Sequence, residues 1–147
     1  MKLKISTNVK IDNIEIKKRM RRIVWLSANK LFELAVSKAP VDTGRLRNSI
    51  TLSPLYPDRD KYVLSVGVLY GVYVEYGTRP HPVSYKYLEG WARRKLGDSS
   101  AAYTIARSIA LHGTRPHPFF RPALDEVKKI WVKRYAQTVF KPDLRKV

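Results

Sequence analysis

From Asp12 to Pro40 the chain reads DNIEIKKRMRRIVWLSANKLFELAVSKAP, and its apolar residues return at helical intervals: Ile16, Met20, Ile23, Leu31, Leu34 and Ala35. The opposite face carries Lys17, Lys18, Arg21, Arg22 and Lys30. Asp12 and Glu15 have capping-box spacing, and Pro40 cannot continue a helix. This predicts a long amphipathic helix, and such a helix is held by what packs on its apolar face. The rest of the chain must therefore build a surface for it.

Strand-like patterns flank the helix. Residues 2–11 read as a short strand through Leu3, Ile5, Val9 and Ile11. VDTGRLRNS (41–49) reads as a turn segment. Three alternating runs follow at 49–56, 61–68 and 70–76, with PDRD (57–60) as a hairpin loop. Alternatively, 61–76 is one long strand bent at Gly67 or Gly71. The helical period returns at 83–112, where Gly97 and Gly113 punctuate two short helices, one carrying Leu88, Trp91 and Leu96, the other Ala102, Ile105, Ala106 and Ile109. Residues 121–139 form a last helix, with Pro122 early and Leu124, Val127, Trp131 and Tyr135 on one stripe. The tail 141–147 is expected to be loose. Helices and strands are segregated, so the expected fold is a single α+β domain spanning 1–147: a long N-terminal helix, an antiparallel β-meander, two short inserted helices at 83–112 and a C-terminal helix.

With 29 Lys and Arg against 12 Asp and Glu, the net charge is +17, which points to a polyanion or an acidic protein surface as partner. The absence of Cys removes disulfides, thiolate zinc sites and cysteine nucleophiles. No apolar run approaches the roughly 18 residues of a membrane span, so no membrane is expected. The basic clusters at 17–22, 93–95, 128–134 and 141–146 sit in helical patterns without a helix-turn-helix or a stacking platform. They suit contact with a nucleic-acid backbone, not sequence reading.

The hexapeptide GTRPHP occurs twice, at 77–82 and 113–118. Each Gly permits positive φ, and the two prolines favour an extended path, so both copies read as rigid exits, the first from a strand ending at Tyr76 and the second from a helix ending near His112. Three His without Cys or an HExxH helix give no metal site, and no cofactor is expected. Asp42, Thr43 and Gly44 spell the triplet of aspartic proteases, but the setting is basic and Arg45 beside Asp42 favours an ionised carboxylate. Asp42 reads instead as a turn cap. Glu75 reads as a strand carboxylate pairing with an Arg.

Three stretches taken together, APVDTGRLRNSI (39–50), YGVYVEYGTRPHP (70–82) and HPFFRPALDEV (117–127), resemble the neck or head–tail joining proteins of tailed phages, the tail-component and tail-completion proteins of lambdoid siphophages. The resemblance covers about residues 12–140, and 83–112 is an excursion beyond the shortest members. It implies a virion protein without catalysis, assembling as a homo-oligomeric ring on the DNA path between the head connector or stopper and the tail terminator or tube. Phage DNA would pass through nonspecifically, and assembly would take place in the host cytoplasm. The residues it singles out for turns or subunit contacts are Asp42, Thr43, Gly44, Arg45, Glu75, Tyr76, Gly77, Thr78, Pro118, Phe119 and Pro122. Lys17, Lys18, Arg21 and Arg22 are the candidates to face DNA. A domain of this size is ~38 Å across, a length of duplex exposing only ~22 phosphates. A ring lumen therefore cannot use most of the charge, and the other clusters are expected to meet acidic partner proteins. The alternatives are a nonspecific DNA-binding protein acting alone, which the charge motivates, and a small dimeric aspartic protease, which only the triplet motivates.

Overall fold

The computed structural model describes residues 2–5, 14–55 and 58–140. Strand β1 (Lys2–Ile5) precedes the long helix α1 (Ile14–Lys38). A one-turn helix α2 (Arg45–Asn48) leads into β2 (Ile50–Leu55) and β3 (Asp58–Val66). Helix α3 (Gly71–Tyr76) follows, then the helical pair α4 (Lys86–Leu96) and α5 (Ala101–His112). The chain ends in one continuous helical run: α6 (Phe120–Glu126), a π turn (Val127–Trp131) and α7 (Val132–Phe140). The expected α+β class holds. Asp12, Val9, Ile11 and the tail 141–147 lie outside the described residues.

The three strands form an antiparallel sheet in the order β1-β3-β2. Ile50 pairs with Val66 and Leu52 with Leu64, so the apolar residues of β2 and β3 share a face. Pro54 sits on the edge strand, beside a register shift, where its missing N–H disrupts no inner ladder. Two expectations change here. PDRD is not a loop, since β3 already begins at Asp58, which pairs with Leu55. Nor is the sheet a meander: its third strand comes from the N-terminus, and the run 70–76 contributes none.

That run is the main correction. YGVYVEY alternates as a strand does, and the alternative of one bent strand over 61–76 required it to be extended, yet it folds as α3. Gly71 and Glu75, four residues apart, are both buried, while Tyr70, Tyr73 and Tyr76 face outward. A Cβ on Gly71 would lie 2.8 Å from Val66 Cγ1, so the helix begins where the backbone comes closest to β3. Strand propensity in so short a run is overridden by these contacts. The segment 41–49 likewise holds a turn of helix, α2, whose Leu46 is buried.

One cluster of buried side chains joins the layers. Leu31 and Ala35 from α1, Ile50, Leu64 and Val66 from the sheet, and Phe119, Phe120, Ala123 and Val127 from the last helical run pack together. The predicted apolar stripe of α1 thus lies on the sheet and the C-terminal helices, with Lys17, Lys18, Arg21 and Arg22 outside. Lys30 Nζ sits 4.4 Å from the centroid of the Trp131 ring, tying α1 to the π turn by a cation–π contact. Among the described residues, no helix is long and apolar enough to cross a membrane.

Candidate functional site

The final helix starts with no cap of its own. Neither Phe119 nor the HP before it offers a short polar side chain, and no local side chain caps the helix. The first N–H groups of a helix have no partner inside it and need an acceptor. Glu75 supplies one from 44 residues away. Its Oε2 accepts the N–H groups of Phe119 at 2.8 Å and Phe120 at 2.9 Å, and its Oε1 accepts that of Arg121 at 2.8 Å. Glu75 is only 3% exposed. A carboxylate at this end also meets the positive pole of the helix. The expectation that Glu75 is a strand carboxylate pairing with Arg is therefore corrected: it lies on a helix and binds three backbone donors. The missing local cap before Phe120 was the sequence signal for this remote one.

The two GTRPHP copies meet each other. Thr78 N–H donates to Thr114 O at 3.1 Å, Thr114 N–H donates to Thr78 Oγ1 at 3.0 Å, and the two hydroxyls are 3.0 Å apart. Thr78 and Thr114 thus form an antiparallel bridge. Both copies leave a helix, α3 or α5, rather than one a strand and one a helix. In each, the Gly N–H closes the helix, onto Tyr73 O or Ile109 O. Gly77 (φ 72, ψ −175) and Gly113 (φ 73, ψ −162) occupy a backbone region essentially restricted to Gly. Each also lies against the other copy. A Cβ on Gly77 would overlap Thr114 O, and one on Gly113 would overlap Thr78 O. Identical sequence serves identical geometry, because each strand of the clasp needs a Gly to enter and a Thr to pair. The clasp continues outward: His117 N–H donates to Val74 O at 2.8 Å. The rings of His81 and His117 hydrogen-bond to the carbonyls of Arg79 and Pro116 in their own loops.

The VDTG turn holds the helical excursion. Arg94 of α4 grips Asp42 with both arms, Nε to Oδ1 at 2.9 Å and Nη2 to Oδ2 at 2.6 Å, while Lys95 Nζ donates to Val41 O at 2.7 Å. The hydrogen bond from Arg94 holds the Asp42 carboxyl below its ordinary pKa, and Asp42 in turn raises that of Arg94. The partner is thus Arg94, 52 residues away, rather than the neighbouring Arg45, which opens α2 and is exposed. An ionised carboxylate held this way is the opposite of the shared-proton pair of an aspartic protease. Gly44 (φ 80) makes the turn into α2, and Thr43 is exposed. The pair contributes stability that is present above the unfolded pKa of Asp42 and is lost as pH falls through its lower folded pKa. Asp98, held by Ser100, and Glu126, held by Trp131 and Lys38, are shifted in the same direction. We expect wild type to lose more stability than Arg94→Ala on acidification from about pH 5 to about pH 2. Superimposable acid-unfolding profiles would remove Asp42–Arg94 from the account.

Pro118, Pro122 and Tyr76 line a shallow groove of about 370 Å³ above Glu75, with Arg121 5.2 Å from the centroid of the Tyr76 ring. The sequence-derived residues therefore fall into three groups: Asp42 to Arg45 at the foot of α4; Glu75, Tyr76, Pro118, Phe119 and Pro122 at the cap; and Gly77 with Thr78 in the clasp. Lys17, Lys18, Arg21 and Arg22 lie apart from all three. Arg21 pairs with Asp60 at 2.6 Å, whereas Lys18 and Arg22 line a second groove, of about 380 Å³, between α1 and α7. Among the described residues, no three His, Asp or Glu gather as a metal site. Among the described residues, five acids are engaged by basic side chains of the same chain: Glu15, Glu33, Asp42, Asp60 and Glu126.

Fold and junction define a small α+β scaffold in which the second and third motifs bind each other while the first grips the helical excursion. Residues 6–77 match the model of the HK97-gp10-like family, described as "Bacteriophage HK97-gp10, putative tail-component". Over that stretch, just under half of the chain, the protein is similar to phage tail components, which bears out the resemblance carried by its first motif and the start of its second. The third motif, 117–127, and the excursion 83–112 lie beyond the match. No curated protein and no solved structure matches the chain.

Proposed function

We propose that this chain is a structural protein of a phage particle, placed at the joint between head and tail, where copies assemble as a ring around the path of the genome. The match of residues 6–77 to phage tail components carries the reading. The site geometry suits it, since Asp42 and Glu75 are engaged within the chain while aromatic and basic surface stays exposed for neighbours. In this role the chain performs no catalysis and needs no cofactor. Its partners are further copies of itself, connector or stopper proteins on one side and terminator or tube proteins on the other. Electron microscopy of particles made without this chain tests the placement. Filled heads beside unattached tails are expected; normal joined particles would overturn it.

The positive cluster of α1 is our candidate for the surface facing DNA. Lys17, Lys18 and Arg22 are exposed, and the groove that Lys18 and Arg22 border opens between two helices. Reversing the four charges at Lys17, Lys18, Arg21 and Arg22 should impair genome retention or passage while leaving the core intact. Infectivity equal to wild type would assign the cluster to another task. A second reading, a DNA-binding protein acting alone, rests on the charge of +17. It requires the isolated chain to bind duplex tightly, with affinity falling steeply as salt rises.

A further inference from the structure

From Val66 to Thr78 the chain carries one charged residue, Glu75, and that residue is buried. The outer face of this stretch is apolar and aromatic: Leu69 is 91% exposed and Tyr73 60%, with Tyr70, Val72 and Tyr76 beside them. A neutral patch rich in tyrosine is the composition of an interface core. It stands out on a chain of net charge +17. A second uncovered surface lies on the helical pair α4–α5. These helices pack mainly on each other, and their buried residues are three alanines, Ala92, Ala102 and Ala106. Tyr103, Arg107 and Leu111 form an outward stripe along α5, and Tyr85 packs edge-on against Tyr103 at 6.2 Å.

Charge decides what can cover the α3 patch. Five of the described acids are already paired within the chain, and Glu75 is spent on backbone donors. Three exposed acids, Glu89, Asp98 and Asp125, have no basic partner among the described residues, too few to balance 29 Lys and Arg, so two copies repel unless at least one side of their contact is free of cations. The α3 patch meets that condition. Contact between two α3 patches would bring two Arg121 side chains to one interface rim, and contact between two helical pairs would bring two exposed Arg107 side chains into one interface. Placing the α5 stripe of one copy on the α3 patch of the next brings in a single Arg107 opposite a patch whose own face is uncharged. It also lays Arg107 on uncharged, tyrosine-rich ground suited to cation–π contact. We infer that the α3 patch is the seat for the α4–α5 pair of the next copy, in a head-to-tail contact. A contact between two different patches propagates and closes into a ring when its rotation permits. This inference deepens the ring reading and rests on it.

The test uses the full chain and two exposed-site variants, Tyr73→Arg and Tyr103→Arg, each checked for an unchanged melting temperature. Sedimentation of wild type should show self-association that strengthens from about 0.1 M to about 0.5 M salt, because screening weakens the repulsion between copies. Each variant alone should associate at least tenfold more weakly. Mixed, they should recover association but stop at a pair, since each retains the patch the other has lost. A wild-type chain that stays monomeric at both salts overturns the inference, as does either variant assembling like wild type or a mixture that fails to pair. The placement at the head–tail joint is judged separately by particle morphology: unjoined heads and tails together with a failed mixture would retain the neck and discard this contact.

Discussion

Glu75→Ala lowers the stability of the chain by about 3–5 kcal/mol, because it leaves three backbone donors without their acceptor in a largely buried place, each such loss costing roughly 1–3 kcal/mol. For a chain of this size that is a fall in melting temperature of roughly 10–15 °C. The loss has two parts. One is local: the helix from Phe120 loses its only side-chain cap and the negative charge at its positive end. The other is tertiary, since Phe119 and Phe120 sit in the core and Glu75 fixes where they enter it. Glu75→Gln separates the parts. It keeps one oxygen to accept but presents an NH₂ to a backbone donor, so its melting temperature should fall between wild type and Glu75→Ala. Thermal unfolding followed by circular dichroism reads all three. An alanine variant within 1–2 °C of wild type, in effect ~0.5 kcal/mol, would mean that solvent replaces the carboxylate and that the cap is dispensable.

Gly113→Ala is the second large effect, at roughly 2–5 kcal/mol. The backbone region held by Gly113 costs other residues about 1–3 kcal/mol, and the added methyl would overlap the carbonyl oxygen of Thr78, a backbone atom with no rotamer to escape into. The clasp must then part, carrying α5 away from α3. Gly97→Ala is the control. Gly97 also has positive φ (73), but nothing lies within 4 Å of a Cβ built there, so only the left-handed penalty of roughly 1–2 kcal/mol applies. Equal melting temperatures for Gly113→Ala and Gly97→Ala would show that backbone conformation alone governs both positions and that the close approach of the two hexapeptides contributes nothing.

What the sequence determined by itself was whatever is written locally. The apolar spacing from Ile16 to Ala35 specified α1 and its inward face, because a helix's own period decides which side chains share a side. Gly97 and Gly113 ended the two inserted helices where expected, since few other residues reverse a backbone there. The alternation in KYVLSVGV specified β3 for the same local reason. The motifs also pointed to phage tail components, and the family match agrees for the first motif and the start of the second, which lie within 6–77.

Only the tertiary structure decided the rest. YGVYVEY carries a strand's alternation, and its helical state follows from Gly71 lying against Val66 and Glu75 reaching Phe119 to Arg121. Asp42 has Arg45 three residues away, yet binds Arg94, because the bidentate fit depends on where α4 comes to rest. The repeated hexapeptide revealed two similar turns but not that they clasp each other across 36 residues. In each case the deciding contact lies tens of residues away, and a short polar or alternating segment has several local states of similar energy. Periodicity fixes the face of an element; which distant group that face meets is settled by packing, and here packing chose both the cap and the clasp.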